Sequence, residues 1–394
     1  MPTITTERLE QELTGNILPF WAERTLDPVH GGYYGALSNN LQVHNDAPRS
    51  AVLYGRILWT FSLAYKEYKK EEYLDIARRA YDYIKAHFWD AQHGGVYWSV
   101  DMSGKPLDAR KHTFANSFCI YGLAEYFQAT GEMEALELAK QIFELLEAHS
   151  HDPFHGGYIE GRGADWVSAT DPRLSQYEPL CDKSMNTLLH TMEAFTNLLR
   201  VWDESRLRTR VRELITIFLD RVIDSRTNHQ RLFFNSDWSW NKDEHISYGH
   251  DIETSWLLVE AAEVLGDPVL LKRAKEMAVK MAQAVYDKAL QADGVLLPES
   301  HGERNRDIVW WVHAEGMVGF YNAYQISGDE KFRTASERIW QVIDQKFIDR
   351  QNGDWFKTLD PQGVPYPDSF KVGPWDCPYH HSRACFELIR RLSE

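Results

Sequence analysis

The sequence predicts an all-α protein, an (α/α)6 barrel of six inner and six outer helices. Three observations carry that expectation: a turn that recurs at a fixed spacing, two kinds of helical pattern alternating between the turns, and near-complete apolarity of one kind. The turns are PVHGGYYG from Pro28, AQHGGVYW from Ala91 and PFHGGYIE from Pro153. Their first glycines, Gly31, Gly94 and Gly156, lie 63 and 62 residues apart. RLFFNSDW from Arg231, DGVLLPES from Asp293 and NGDWFKTLD from Asn352 read as degraded copies. Self-similarity at a period of about 65 residues marks a repeat of one supersecondary unit. An open solenoid is the alternative, but the atypical ends that would cap one are not evident.

Taken in order, the outer helices are expected over 4–24, 73–89, 133–150, 206–224, 268–288 and 330–347. They are amphipathic, with charged faces such as Asp75-Ile76-Ala77-Arg78-Arg79 and Lys272-Arg273-Ala274-Lys275-Glu276. One face is for the core and one for water. The inner helices are expected over 48–70, 112–130, 183–202, 250–265, 307–327 and 377–392. From Ile252 to Leu265 apolar residues cover most of the circumference, so that helix is surrounded by protein. Gly266 ends it and Asp267-Pro268 starts the next. No composition shift or Pro/Ser linker divides the 394 residues, so one domain over 1–394 is expected.

The net charge of −15 argues against nucleic acid and anionic membrane as partners. No signal peptide is read at the start, and no stretch approaches the roughly 20 apolar residues of a membrane span. Cys119, Cys181, Cys377 and Cys385 form no CxxC pair and read as free thiols. A cytoplasmic monomer is expected.

Each inner helix opens with polar groups and then turns apolar. Arg49, Tyr54 and Arg56 belong to the first, Lys111, His112 and Asn116 to the second, Asp182, Lys183, Asn186 and His190 to the third. His250 and Glu253 open the fourth; Arg306, Trp310, Trp311, His313 and Glu315 the fifth; His380, His381 and Arg383 the sixth. Alternating helix direction puts all six N-termini at one end, a polar funnel over an apolar base. Histidine suits proton transfer near neutral pH, and His190, His250 and His380 stand at corresponding places. Glu253, three residues from His250 and on its face, and Glu315 could each orient an imidazole. Trp311 and Trp375 could stack on sugar rings, where core filling is the plain alternative. No HExxH, thiolate pair or Asp-rich loop completes a metal site, and neither a phosphate loop nor a GxSxG elbow is present.

CDKSMNTLLHTMEAFTNL from Cys181, HISYGHDIETSWLLVEAAEVLG from His245, WWVHAEGMVGFYNAY from Trp310 and KVGPWDCPYHHSRACFEL from Lys371 resemble the N-acylglucosamine 2-epimerase superfamily. Within it they are most similar to the cellobiose 2-epimerases, as is FWDAQHGGVYWSVDMSGKPLDARKHTFANSFCIYGLAEY. The resemblance implies an (α/α)6 barrel and epimerisation at C2 of a reducing-end sugar without metal or cofactor. It implies that His250 and His380 are the acid/base pair, and that His190 serves ring opening and positioning. It places Arg56 near the C1 and C2 oxygens, and Asn186, Trp311 and Trp375 on the sugar. Glu253 and Glu315 stand at the carboxylates that support the histidines, among the groups around the substrate. The sequence departs at His313, where Gln is expected, and at the doubled His380-His381. The first of the two is matched to the catalytic role because Arg383 then keeps its spacing. The implied partner is a β-1,4-linked disaccharide. A monosaccharide aldose–ketose isomerase, an N-acylglucosamine 2-epimerase, a glycoside hydrolase on the same barrel and a non-catalytic sugar-binding barrel are the other readings.

Overall fold

The structure, a computed structural model, describes residues 4–240, 245–300 and 306–393. Among them are twelve helices. The outer ones are α1 (6–24), α3 (71–88), α5 (Met133–His149), α7 (205–222), α9 (Pro268–Lys288) and α11 (330–347). The inner ones are α2 (Ala51–Tyr68), α4 (Thr113–Thr130), α6 (Met185–Leu199), α8 (Tyr248–Leu265), α10 (Trp310–Ser327) and α12 (Tyr379–Ser393). Each inner helix packs on the next, and α12 packs on α2. The ring therefore closes as an (α/α)6 barrel. Among the described residues no helix is long and apolar enough to cross a membrane.

Four inner helices begin two or three residues later than expected and α4 one later, whereas α8 begins two earlier, at Tyr248; the residues before five of the six are extended. Arg49–Ser50 pairs with Ser99–Val100, Lys111–His112 with Gly161–Arg162, and Lys183–Ser184 with Phe233–Phe234. Ile308–Val309 pairs with Thr358–Leu359, and Ser247 bridges to Glu299. The sixth pair, Leu37–Ser38 with Phe370–Val372, joins the two ends of the chain. Side chains then cap the helices: Ser50 accepts from Leu53 N–H and Ser184 from Thr187 N–H. Such caps satisfy donors that a helix start leaves orphaned. At the far end Lys69, Gly131, Gly266 and Gly328 close four inner helices in the left-handed conformation.

The recurring turn follows each outer helix and feeds the rim. Gly31 and Gly32, with φ of 74° and 66°, hold a conformation that costs glycine little. In the degraded copies other residues take that strain: Asn228 has φ 60° and Asp354 φ 59°. The fourth turn accordingly lies at 224–229, just before the RLFFNSDW stretch that the spacing singles out.

An acidic residue opens most copies and accepts N–H groups two and three residues on, as Asp27, Asp90, Asp152 and Asp349 do. Its charge meets a buried cation from the next rim strand: Arg49 on Asp27, Lys111 on Asp90, Lys183 on Asp152, Lys371 on Asp349. Arg49, Lys111 and Lys183 are thus fastenings of the rim, and their place in the chemical funnel is withdrawn. Tyr54, bonded to the Tyr33 backbone, and Asn116, bonded to Val96 N–H and His112 C=O, also serve the turns.

Candidate active site

A cavity of about 1230 Å³ opens at the rim end of the barrel. Asn186 from α6, His250 from α8 and Trp311 from α10 line it. Beneath these, a chain of ring contacts links the polar groups of five inner helices. Trp311 lies 4.8 Å from His250 and 5.5 Å from His380. Tyr379 lies 4.6 Å from His380. The Arg56 guanidinium sits 4.8 Å over Tyr379 and 4.2 Å over Phe118, whose ring is 4.9 Å from His190. The Trp311 ring can close on His250 because Gly249 has no side chain: a Cβ there would lie 2.5 Å from it.

All three imidazoles are held by the same nitrogen. His250 Nδ1 meets Ser247 Oγ at 2.6 Å, His190 Nδ1 meets Glu193 at 2.9 Å, and His380 Nδ1 meets Glu315 at 2.7 Å. A proton on Nδ1 leaves Nε2 as the free lone pair. Burial pulls His190 down to about 4 and His250 to about 3, with Arg56 adding to both. Burial, then Arg56 and Arg383, hold His380 well below the ordinary range. At neutral pH the three are uncharged and fit to accept a proton.

Arg383 organises the layer behind. Its guanidinium donates to Glu193, to Glu253 at 2.6 Å, to Glu315 at 2.7 Å and to the Tyr379 hydroxyl. Trp256 N–H donates to the other Glu315 oxygen at 3.0 Å. One cation among three buried carboxylates leaves excess negative charge. Burial and the neighbouring Glu315 push Glu253 well above the carboxylate range. Burial works against Glu193 too, yet Arg383 and His190 bring it down to about 2. Glu253, Glu315 and His380 offer ligand atoms within 4.8 Å of one another, the geometry of a metal site. The Arg383 guanidinium, bonded to both carboxylates, already supplies the cation there.

Arg56 is the opposite case. It is buried and stacked between aromatic faces; among the described residues it hydrogen-bonds only Cys377 Sγ, at 3.5 Å, and its Nε has no partner. A buried cation without a carboxylate is costly unless something anionic visits it.

Several expected places change. Glu253 shares a helical face with His250 but serves Arg383, and its nearest imidazole is His380 at 3.8 Å. Glu253 and Glu315 are fully buried behind the histidines, so the expectation that they stand at the substrate gives way to a supporting place. The His-x-x-Glu pair that does form is His190–Glu193. His313 is bonded to Val309 C=O and Leu296 N–H, away from the funnel. His381 turns from His380 to Asp354, at 2.5 Å. His112 caps α4 and meets Pro172 C=O. Trp310 is buried under Lys357, whereas Trp375 is 39% exposed, edge-on to Phe114 and tilted against Trp98. The sequence reading misses Ser247, Glu193, Trp256 and Tyr379. A polar residue three positions from a histidine would have flagged the first two.

The model of the N-acylglucosamine 2-epimerase (GlcNAc 2-epimerase) family matches residues 32–384, and the chain belongs to that family. It is 41% identical to a cellobiose 2-epimerase of Bacteroides fragilis over 99% of this chain and 100% of that one. It is 40% identical to a cellobiose 2-epimerase of Ruminococcus albus, covering 97% and 98%. The cellobiose 2-epimerase structure from Bacillus thermoamylovorans superposes with a TM-score of 0.92 at 40% identity, covering 98% of this chain and 99% of that one.

Proposed function

We infer that the protein is a cellobiose 2-epimerase. It inverts C2 of the reducing-end glucose of β-1,4-linked disaccharides, converting cellobiose to glucosyl-mannose and lactose to epilactose. The observation that carries the chemistry is the common orientation of three neutral imidazoles, each held by Nδ1, around an Arg56 that has no carboxylate ion pair among the described residues. The full-length likeness to cellobiose 2-epimerases supports the disaccharide.

Opening the hemiacetal exposes an aldehyde that acidifies the C2 proton. His190, close to Arg56 across Phe118, is placed to assist that opening. One of His250 and His380 removes the proton, giving a cis-enediolate. Arg56 meets the developing oxyanion where water is excluded, so its charge acts at high effect. The other imidazole takes a proton from solvent on Nε2 and, after the intermediate turns, delivers it to the opposite face; the imidazolium formed in the first step then gives its proton back to solvent. Each positioned proton transfer contributes about 10²–10⁴-fold. Trp311, against both imidazoles, is the natural floor for the ring. Glu253 and Glu315, committed to Arg383, are poorly placed to flank a scissile bond as a glycosidase requires. The cation already seated among the cluster's carboxylates favours a reaction that needs no metal.

An NMR assay with cellobiose, lactose, mannose and N-acetylglucosamine, with and without EDTA, tests this. Glucosyl-mannose should form from cellobiose, unaffected by EDTA. Free glucose would revive the hydrolase. Conversion of mannose alone would point to the isomerase. Loss on chelation, restored by one divalent ion, would sink the metal-free mechanism.

A further inference from the structure

We propose that Asp376 is a substrate-binding carboxylate that accepts a hydroxyl of the ring being epimerised, with Lys357 fixing its surroundings. The proposal rests on the epimerase reading above and names a contact within that site.

Asp376 lines the cavity beside Lys357. It is half-buried, and among the described residues no side-chain hydrogen bond reaches its carboxylate. Its place is set by the turn before α12: Gly373 N–H donates to its carbonyl at 3.0 Å, and a Cβ at Gly373 would lie 2.8 Å from its Oδ2. The plain alternative is an ion pair with Lys357. That ammonium is spent elsewhere, on Asp354 at 2.9 Å and over the Trp310 ring at 3.9 Å. Trp310 lies edge-on to His380 at 5.5 Å, so the Lys357–Asp376 wall borders the reacting centre. A half-buried carboxylate that faces the cavity with no protein donor among the described residues has its acceptor oxygens open to a donor from a ligand. Sugar hydroxyls are such donors.

The charged groups nearest Asp376 are Lys357 and Asp354 from the sixth turn and Arg56 from α2. His250, Asp307 and Asp368 stand further round the cavity. Burial pushes the Asp376 carboxyl up to about 6, against the pull of Lys357. His190 and His250 lie well below that. Loss of the anionic Asp376 should therefore weaken substrate binding as pH falls through about 6.

The test compares wild type with Asp376→Asn, measuring kcat and KM for cellobiose between about pH 5 and 8. KM should rise about 10-fold or more, the scale of a charged hydrogen bond lost, while kcat stays within about two-fold. The rise of KM at low pH should vanish in the variant. Cellobiose analogues with the 3-hydroxyl or the 6-hydroxyl of the reducing ring replaced by hydrogen locate the contact. With one of them wild type and variant should become alike. An unchanged KM, a loss confined to kcat, or a difference that persists with both analogues overturns the proposal. Should Asp376→Asn fail to fold, Asp376→Glu keeps the charge and displaces it, and the same KM and pH readouts decide. Wild type inactive on cellobiose would count against the epimerase reading itself. Asp376 would then be judged by the same KM ratio on whichever of lactose, mannose or N-acetylglucosamine wild type converts.

Discussion

The cations of the rim and those of the floor follow different rules. At the rim Arg49, Lys111, Lys183 and Lys371 each meet one aspartate of a recurring turn. On the floor Arg383 meets three glutamates, and Arg56 ion-pairs with none among the described residues. All six are buried. One-to-one pairing balances charge and holds a turn to a helix start. Unequal pairing leaves charge to be balanced by something else: a proton on Glu253, and an anionic intermediate at Arg56. Among buried charges of one type, the ratio of partners separates fastening from chemistry.

The sharpest break in that comparison lies between adjacent histidines. His380 is held by Glu315 against Trp311, and His381 by Asp354 behind Trp310. His380→Asn should cut epimerisation by about 10²–10⁴-fold, the worth of one positioned proton transfer. His381→Asn should lower the melting temperature and keep a kcat of wild-type order. In D2O wild type should place deuterium at C2 of the product. His250→Asn and His380→Asn should each exchange C2 of one epimer, with opposite choices. Near-normal epimerisation by His380→Asn would transfer the role to His381.

Rim pairs should cost stability and spare the chemistry. The Lys111 side chain is fully buried and that of Asp90 nearly so. Burial opposes the charge on Asp90, but the Lys111 ammonium and two backbone N–H groups keep its carboxyl below the usual range. Lys111→Met strands that charge and should cost about 3–5 kcal/mol in denaturant unfolding. Because the Asp90 pKa is depressed, its stabilisation is present above the ordinary carboxylate pKa and fades as pH falls; acid should narrow the gap between wild type and variant. A large fall in kcat with stability intact would place Lys111 back in the funnel.

Arg56→Met should do the reverse. Removing an oxyanion donor costs about 10²–10³-fold in kcat. Since no carboxylate among the described residues loses an ion-pair contact, the melting temperature should hold or rise. A drop in stability as large as that of Lys111→Met would show that Arg56 is another fastening.

The barrel was legible because repeat spacing and all-round apolarity do not depend on contacts. Inner helix starts were harder to place, since a residue such as Lys111 looks the same in a two-residue strand as in a first helical turn. The fourth turn was displaced because Asn228 carries a left-handed conformation that glycine marks in the first three. Three convergent histidines could be read from corresponding positions on three helices. Their carboxylates could not: spacing puts Glu253 beside His250 on α8, but Arg383, reaching from α12, claims it across the barrel. Asp376 was illegible for a similar reason, since its position follows from the turn around Gly373 and not from any periodicity.

The smallest expected effect concerns Trp375, where the contrast becomes one between buried and half-exposed contacts. Trp375 is 39% exposed and lies 5.7 Å from Phe114 and 6.0 Å from Trp98, clear of the imidazoles. A ring in that place can cover the outer sugar of a disaccharide while taking no part in proton transfer. Its loss should cost about 0.5–1.5 kcal/mol, the range of an aromatic contact beyond area burial. Trp375→Ala should therefore raise KM for cellobiose by about 2- to 12-fold, since about 1.4 kcal/mol is tenfold. A monosaccharide has no outer ring, so KM for mannose, if mannose is turned over, should move less. The kcat for cellobiose should stay near wild type because Trp311, not Trp375, touches His250 and His380. Equal KM increases for both sugars would take Trp375 off the outer ring and put it over the reacting one. A fall in kcat would mean that the edge of Phe114, which Trp375 shares with His190 at 5.2 Å, carries the disturbance down to the floor.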